Sequence, residues 1–192
     1  MRAIDLRTGA VGLVFVALAA AANAQTATAS YVGRPIYSEP GAGLQLPPGC
    51  NVEPAWRSKL GTSDLEVWLA DCNGAVHAWL LRRTVLEALA ANQARLRFQV
   101  LDERVWPAET AGDSASLQCA GKVGGEPGYV VVGAKWRSAG KGASELRLSS
   151  AAAAVRADRS ALRFLDTPVS AVDCARFPAR EALMRQLQQQ SR

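Results

Sequence analysis

Apolar and polar residues alternate with a period of two over much of the chain after Asp64. Leu65, Val67 and Leu69 alternate with Glu66, Trp68 and Ala70, and Val76, Ala78 and Leu80 alternate with His77, Trp79 and Leu81. Asn73-Gly74 stands between the two runs, and this pair suits the positive φ angles of a type I′ turn. The pattern predicts a β-hairpin over about 64–82, with Cys72 beside its turn. Leu96, Phe98 and Val100 alternate with Arg95, Arg97 and Gln99, which gives a strand with one apolar and one basic face, ending before Pro107. Residues 116–120 read as a further strand and 121–128 as a glycine-rich connection. Residues 129–136 and 144–148 read as a second hairpin around 138–142, and 169–174 as another short strand. Residues 149–166 divide between helix, favoured by the alanine run at 151–154, and recruitment into the sheet by strand-like neighbours.

Two helices complete the pattern. Thr84 caps a short one through Ala91, with Glu87 at its third position completing a capping box. Pro178 opens a C-terminal one in which Ala182, Leu183 and Leu187 share an apolar face. The expected fold class is α+β, an antiparallel β-dominated single domain with a short helix after the first hairpin and a C-terminal helix.

The first residues follow another logic. Arg2 and Arg7 precede a run of small and apolar residues from Gly9 to Ala22, and Ala22-Asn23-Ala24 fits the small-x-small cleavage pattern of an export signal. This divides the chain into a signal peptide at 1–24, a flexible leader rich in Thr, Ala, Ser, Gly and Pro at 25–48, and a single domain at 49–192. The apolar run falls short of the roughly 20 residues of a retained membrane span. The expected location is periplasmic or secreted.

An oxidising compartment changes the reading of Cys50, Cys72, Cys119 and Cys174. Their wide separation opposes a zinc site built from close cysteine pairs and favours disulfides. Four cysteines allow three pairings; Cys50 with Cys72 and Cys119 with Cys174 is preferred, because each bridge closes a loop within one half of the domain. The formal charge of +5 becomes +4 once the signal leaves with Arg2, Asp5 and Arg7, and no block of like charge marks a nucleic-acid arm.

Catalytic chemistry finds little support. His77 is the single histidine, on a strand face shared with Trp79, and reads as a sheet-surface residue. Gly112-Asp113-Ser114 has the residues of an esterase nucleophile block, but His77 precedes it, which is the wrong order, and a loop is the simpler reading. Residues 121–128 lack the spacing of a phosphate loop, and Asp102, Glu103 and Glu109 fit no calcium loop. No cofactor or metal is expected. Trp68 and Trp79 fall on one face of the first hairpin, where they form either core or, with Arg95 and Arg97, an aromatic and basic binding face.

At Trp68-Leu69-Ala70-Asp71-Cys72-Asn73-Gly74, from 96 to 107, and at Val132-Gly133-Ala134-Lys135-Trp136-Arg137, the chain resembles uncharacterised small exported proteins of proteobacteria. At Cys119, Lys141-Gly142 before Leu146, and Cys174 it is similar to periplasmic inhibitors of c-type lysozyme, which are small β-barrels, although their Ser-Gly-x-Arg-Tyr block is missing. The function expected is that of a non-enzymatic envelope module binding a protein partner or glycan. The alternatives are an exported hydrolase or a lysozyme-inhibitor-like β protein.

Overall fold

The structure is a computed structural model that describes residues 30–89, 93–111, 115–140 and 144–177. The expected signal peptide, the first residues of the expected leader, the Gly112-Asp113-Ser114 block, Lys141-Gly142 and the helix expected from Pro178 lie outside the described residues.

Two curled antiparallel sheets make up the fold. The first contains β1 (Pro35–Glu39), β2 (Gly43–Gln45), β3 (Cys50–Asn51), β4 (Arg57–Lys59), β5 (Leu65–Cys72), β6 (Ala75–Ala88) and β7 (Ala94–Pro107). Its order is β2-β1-β7-β6-β5-β3, with β4 also paired to β5. A single helical turn, α1 (Ala108–Ala111), follows β7. The second sheet contains β8 (Ser116–Gly121), β9 (Tyr129–Val132), β10 (Lys135–Ser138), β11 (Leu146–Ser150), β12 (Ala153–Asp158), β13 (Arg163–Asp166) and β14 (Val172–Arg176). Its order is β10-β11-β14-β8-β9-β12-β13.

The first hairpin stands where the sequence places it. β5 and β6 pair from Leu65↔Arg82 to Cys72↔Ala75, and Asn73 (φ 54°) and Gly74 (φ 81°) both take the positive φ of the turn. The α+β expectation is overturned: the described residues are β-dominated, and the helix expected after this hairpin does not form. Residues Thr84 to Ala88 continue β6, paired with β7 out to Ala88↔Ala94. A helix of eight residues is marginal alone, whereas this stretch carries β-branched Thr84 and Val85 and lies beside a partner already in register.

The segment expected to be a flexible leader also joins the sheet. β1 pairs with β7 from Pro35↔Gln99 to Ser38↔Leu96, β2 pairs with β1, and Ile36 and Tyr31 are buried. The undecided stretch 149–166 is strand: β12 pairs with both β9 and β13. Of the second hairpin, β10 and β11 do pair, but β9 pairs with β8 and β12 instead.

Alternation along the strands sorts the apolar residues into three clusters. Val67, Leu69 and Leu80 of the first sheet meet Val130, Val132, Val155 and Phe164 of the second, so one core joins the two sheets. Trp68, Trp79, Phe98 and Val100 point to the other face of the first sheet, where Tyr31 and Ile36 cover them. Val131, Ala154, Val172 and the Cys119–Cys174 pair fill the remaining face of the second. A polar clasp reinforces the joint: Phe164 N–H of β13 donates to Asp102 Oδ2 at 2.6 Å, and Arg104 donates to Phe164 O at 3.0 Å. These are the two backbone groups a neighbouring strand would otherwise engage.

Both disulfides follow the preferred pairing and join directly opposed residues of adjacent strands. Cys50–Cys72 ties β3 to β5, and Cys119–Cys174 ties β8 to β14.

Candidate functional site

Trp68 and Trp79 are cross-strand neighbours, as alternation predicts, yet both are fully buried. Trp68 lies 4.5 Å from the Phe98 ring with the Arg57 guanidinium 4.7 Å over its face, and Trp79 meets Tyr31 edge-on at 5.4 Å. Because the leader closes over them, they form no open aromatic platform. Arg95 and Arg97 are exposed and alternate with Leu96 and Phe98, so they emerge on the opposite face from the tryptophans. Arg95 is occupied by Glu39 at 2.7 Å and Glu87 at 3.4 Å, and its hydrogen bond to Glu39 and the charge there raise its pKa further. The four residues therefore do not assemble into one site.

His77 is not on the surface but completely buried. Its Nδ1 lies 2.7 Å from Glu103 Oε1; an ionised carboxylate can only accept, so Nδ1 carries the proton. The same carboxylate accepts from Trp79 Nε1 at 2.9 Å, Tyr31 N–H at 3.0 Å and Ser30 Oγ at 3.1 Å. Burial pushes the Glu103 pKa up, but the hydrogen bonds from His77, Trp79, Tyr31 and Ser30 outweigh it and hold the carboxyl below its ordinary value. The sequence reading missed this pairing because it placed a helix from Thr84, where β6 instead stays paired with β7. That ladder, which shifts register between Leu80 and Leu81, puts Glu103 opposite Trp79. His77 and Glu103 have the separation of an acid/base pair, but His77 Nε2 is buried with no hydrogen-bond partner, so no nucleophile adjoins it. The cluster instead fastens the leader to the sheet.

The open chemistry lies on the second sheet. β11 and β14 pair only at Leu146↔Arg176 and Arg147↔Ala175. Continued in that register, Ser149 would face Asp173 and Ser150 would face Val172; instead the strands part and a groove of about 450 Å³ opens between them. Leu148, Val169 and Val172 give it an apolar lining. Around them stand Lys122, Arg137 and Arg147, the serines Ser149, Ser150 and Ser170, and a single carboxylate, Asp173.

Each cation is placed by the fold. Lys122 follows β8 and is fixed by its N–H donating to Ala171 O at 3.0 Å. Arg137 sits directly across from Arg147 on the β10–β11 ladder. Arg147 is held between Glu145 at 2.6 Å and Asp173 at 2.9 Å. Cys174, next to Asp173, anchors β14 through its disulfide to β8.

No family model, curated protein or solved structure matches the chain.

Among the described residues no three His, Cys, Asp or Glu side chains come together to hold a metal ion, and no helix is long and apolar enough to cross a membrane. Among the described residues the groove brings charge, hydroxyls and volume together. Three cations against one carboxylate leave its lining at a formal +2. Among the described residues neither Lys122 nor Arg137 has an ion-pair partner, so both are available to a ligand.

Proposed function

We propose that this chain is an exported, non-enzymatic binding module whose groove between β11 and β14 takes an acidic glycan. The observation that carries this reading is the uncompensated charge of Lys122 and Arg137 in the lining of a groove that also offers serine hydroxyls. Paired cations bind an added anion weakly, because the anion must compete with a carboxylate already present; unpaired ones bind it without that competition. The groove volume falls within the range of about 300–1,000 Å³ typical of small-ligand sites. Its apolar patch suits the faces of sugar rings, and its hydroxyls suit their edges. Export rests on the N-terminal signal, and two disulfides accord with an oxidising compartment.

The experiment is a calorimetric titration of residues 25–192 with a uronic-acid trisaccharide and with its neutral counterpart. Binding of the acidic sugar should weaken as salt rises, as an exposed charge interaction requires. Lys122→Ala combined with Arg137→Ala should lower affinity at least about tenfold, the equivalent of roughly 1.4 kcal/mol. Equal affinity for the neutral sugar, or no effect of the two substitutions, contradicts the reading.

A further inference from the structure

The two unpaired cations of the groove stand at opposite ends of it. Arg137 faces Arg147 across the β10–β11 ladder, and Arg147 faces Ala175 of β14. Lys122 N–H bonds instead to Ala171 O, four residues back along the chain from Ala175. Three strand steps of about 4.8 Å across the sheet and four residues of about 3.3 Å along it put the Arg137 and Lys122 backbones roughly 20 Å apart over its surface. One carboxylate does not span that gap, even with both side chains reaching inward.

The middle of the groove has the opposite character. Asp173 lies midway between Ala175 and Ala171, and its side chain is 49% exposed. Arg147 does not fully neutralise it, because the same guanidinium also serves Glu145, so one cation stands against two carboxylates. Half-buried Leu148 and exposed Ser149 follow Arg147 on β11, at the level of Asp173 in continued register. From end to end the groove therefore presents a cation, then apolar surface and a hydroxyl beside a carboxylate, then a second cation.

We propose that the acidic glycan carries its carboxylates on alternate residues. One engages Arg137, the next engages Lys122, and an uncharged sugar between them lies on Leu148 and Ser149 beside Asp173. This rests on the acidic-glycan reading of the groove and narrows it to chains in which acidic and neutral sugars alternate. A chain with an acid on every residue fits less well: its middle carboxylate would meet Asp173 with no free cation beside it, and like charges in close approach repel even at a wet surface. A neutral middle sugar avoids that repulsion, and its hydroxyls donate to the Asp173 carboxylate, which can only accept.

Calorimetric titration of residues 25–192 with three trisaccharides tests this: one acidic at both ends, one acidic throughout and one with a single terminal acid. The form acidic at both ends should bind at least about threefold more tightly than the all-acid form, the scale of one exposed charge contact. It should bind at least about tenfold more tightly than the singly acidic form, which lacks one charged hydrogen bond. Asp173→Asn should erase the first difference by raising the affinity of the all-acid form. Asp173 is about half exposed, so this variant should keep the wild-type circular dichroism. Lys122→Ala and Arg137→Ala, made separately, should each bring the doubly acidic form down to the affinity of the singly acidic one. The ranking of the three sugars on the wild type decides without any variant. An all-acid form that binds as tightly as the alternating one, a single acid that does as well as two, or an unchanged preference in Asp173→Asn overturns the proposal and leaves the acidic-glycan reading standing. Failure of every acidic form to bind removes both.

Discussion

Glu103 is the residue on which most of the buried polar structure converges, since one carboxylate serves His77, Trp79, Tyr31 and Ser30. Its depressed pKa fixes the sign of a pH effect: the ionised form is favoured by folding. The stabilisation is full above the ordinary glutamate value of about 4.3 and is lost as pH falls through the lower folded value. Glu103→Gln should therefore flatten the acid limb of the stability curve, and urea titrations at neutral and acidic pH check this. At neutral pH it should cost about 1–3 kcal/mol, the usual penalty for weakening a buried charged hydrogen bond. His77→Ala should cost a similar roughly 2–3 kcal/mol, because it leaves a cavity and removes one donor from Glu103. Yet it should leave binding in the groove unchanged, whereas a catalytic histidine would abolish activity while sparing stability. Little of this was legible in the sequence. A histidine between Val76 and Ala78 reads the same whether its face is bare or covered, and what covers it is Tyr31, from a stretch of low hydrophobicity.

Strands were read well where alternation and turn chemistry agreed, and poorly where one acted alone. Asn73-Gly74 between two alternating runs placed β5 and β6 without ambiguity. The capping box at Thr84 and Glu87 was a local signal for a helix that does not form, because the segment pairs with β7 as far as Ala88. In the leader, Ile36 is the one large aliphatic residue buried in β1, too sparse a pattern to announce a strand. The cysteine pairing was legible because both bridges are local, with separations of 22 and 55 residues. On loop-closure grounds, replacing Cys50 and Cys72 by Ala should cost about 3 kcal/mol, and replacing Cys119 and Cys174 about 4. Thermal unfolding of the two double variants measures the difference. The second should also reduce ligand affinity, because that bridge anchors the β14 side of the groove.

At the scale of the molecule, two curled sheets share one apolar core and a clasp from Asp102 and Arg104 to Phe164, while their remaining surfaces have separate tasks. The first sheet buries Trp68 and Trp79 and leaves a strand edge at Val85; the second parts β11 from β14 and collects cations there. The site was hidden from the sequence because Lys122, Arg137 and Arg147 lie on separate elements, and only the strand order β10-β11-β14-β8 brings them together. The groove as an acidic-glycan site is the central claim, and amide chemical-shift mapping of residues 25–192 during titration with the uronic-acid trisaccharide tests it most directly. The shifts should concentrate at Lys122, Arg137, Arg147, Ser149 and Ser170 and be absent with the neutral sugar. Shifts confined to the hairpin around Val85, or the same pattern with both sugars, would contradict it.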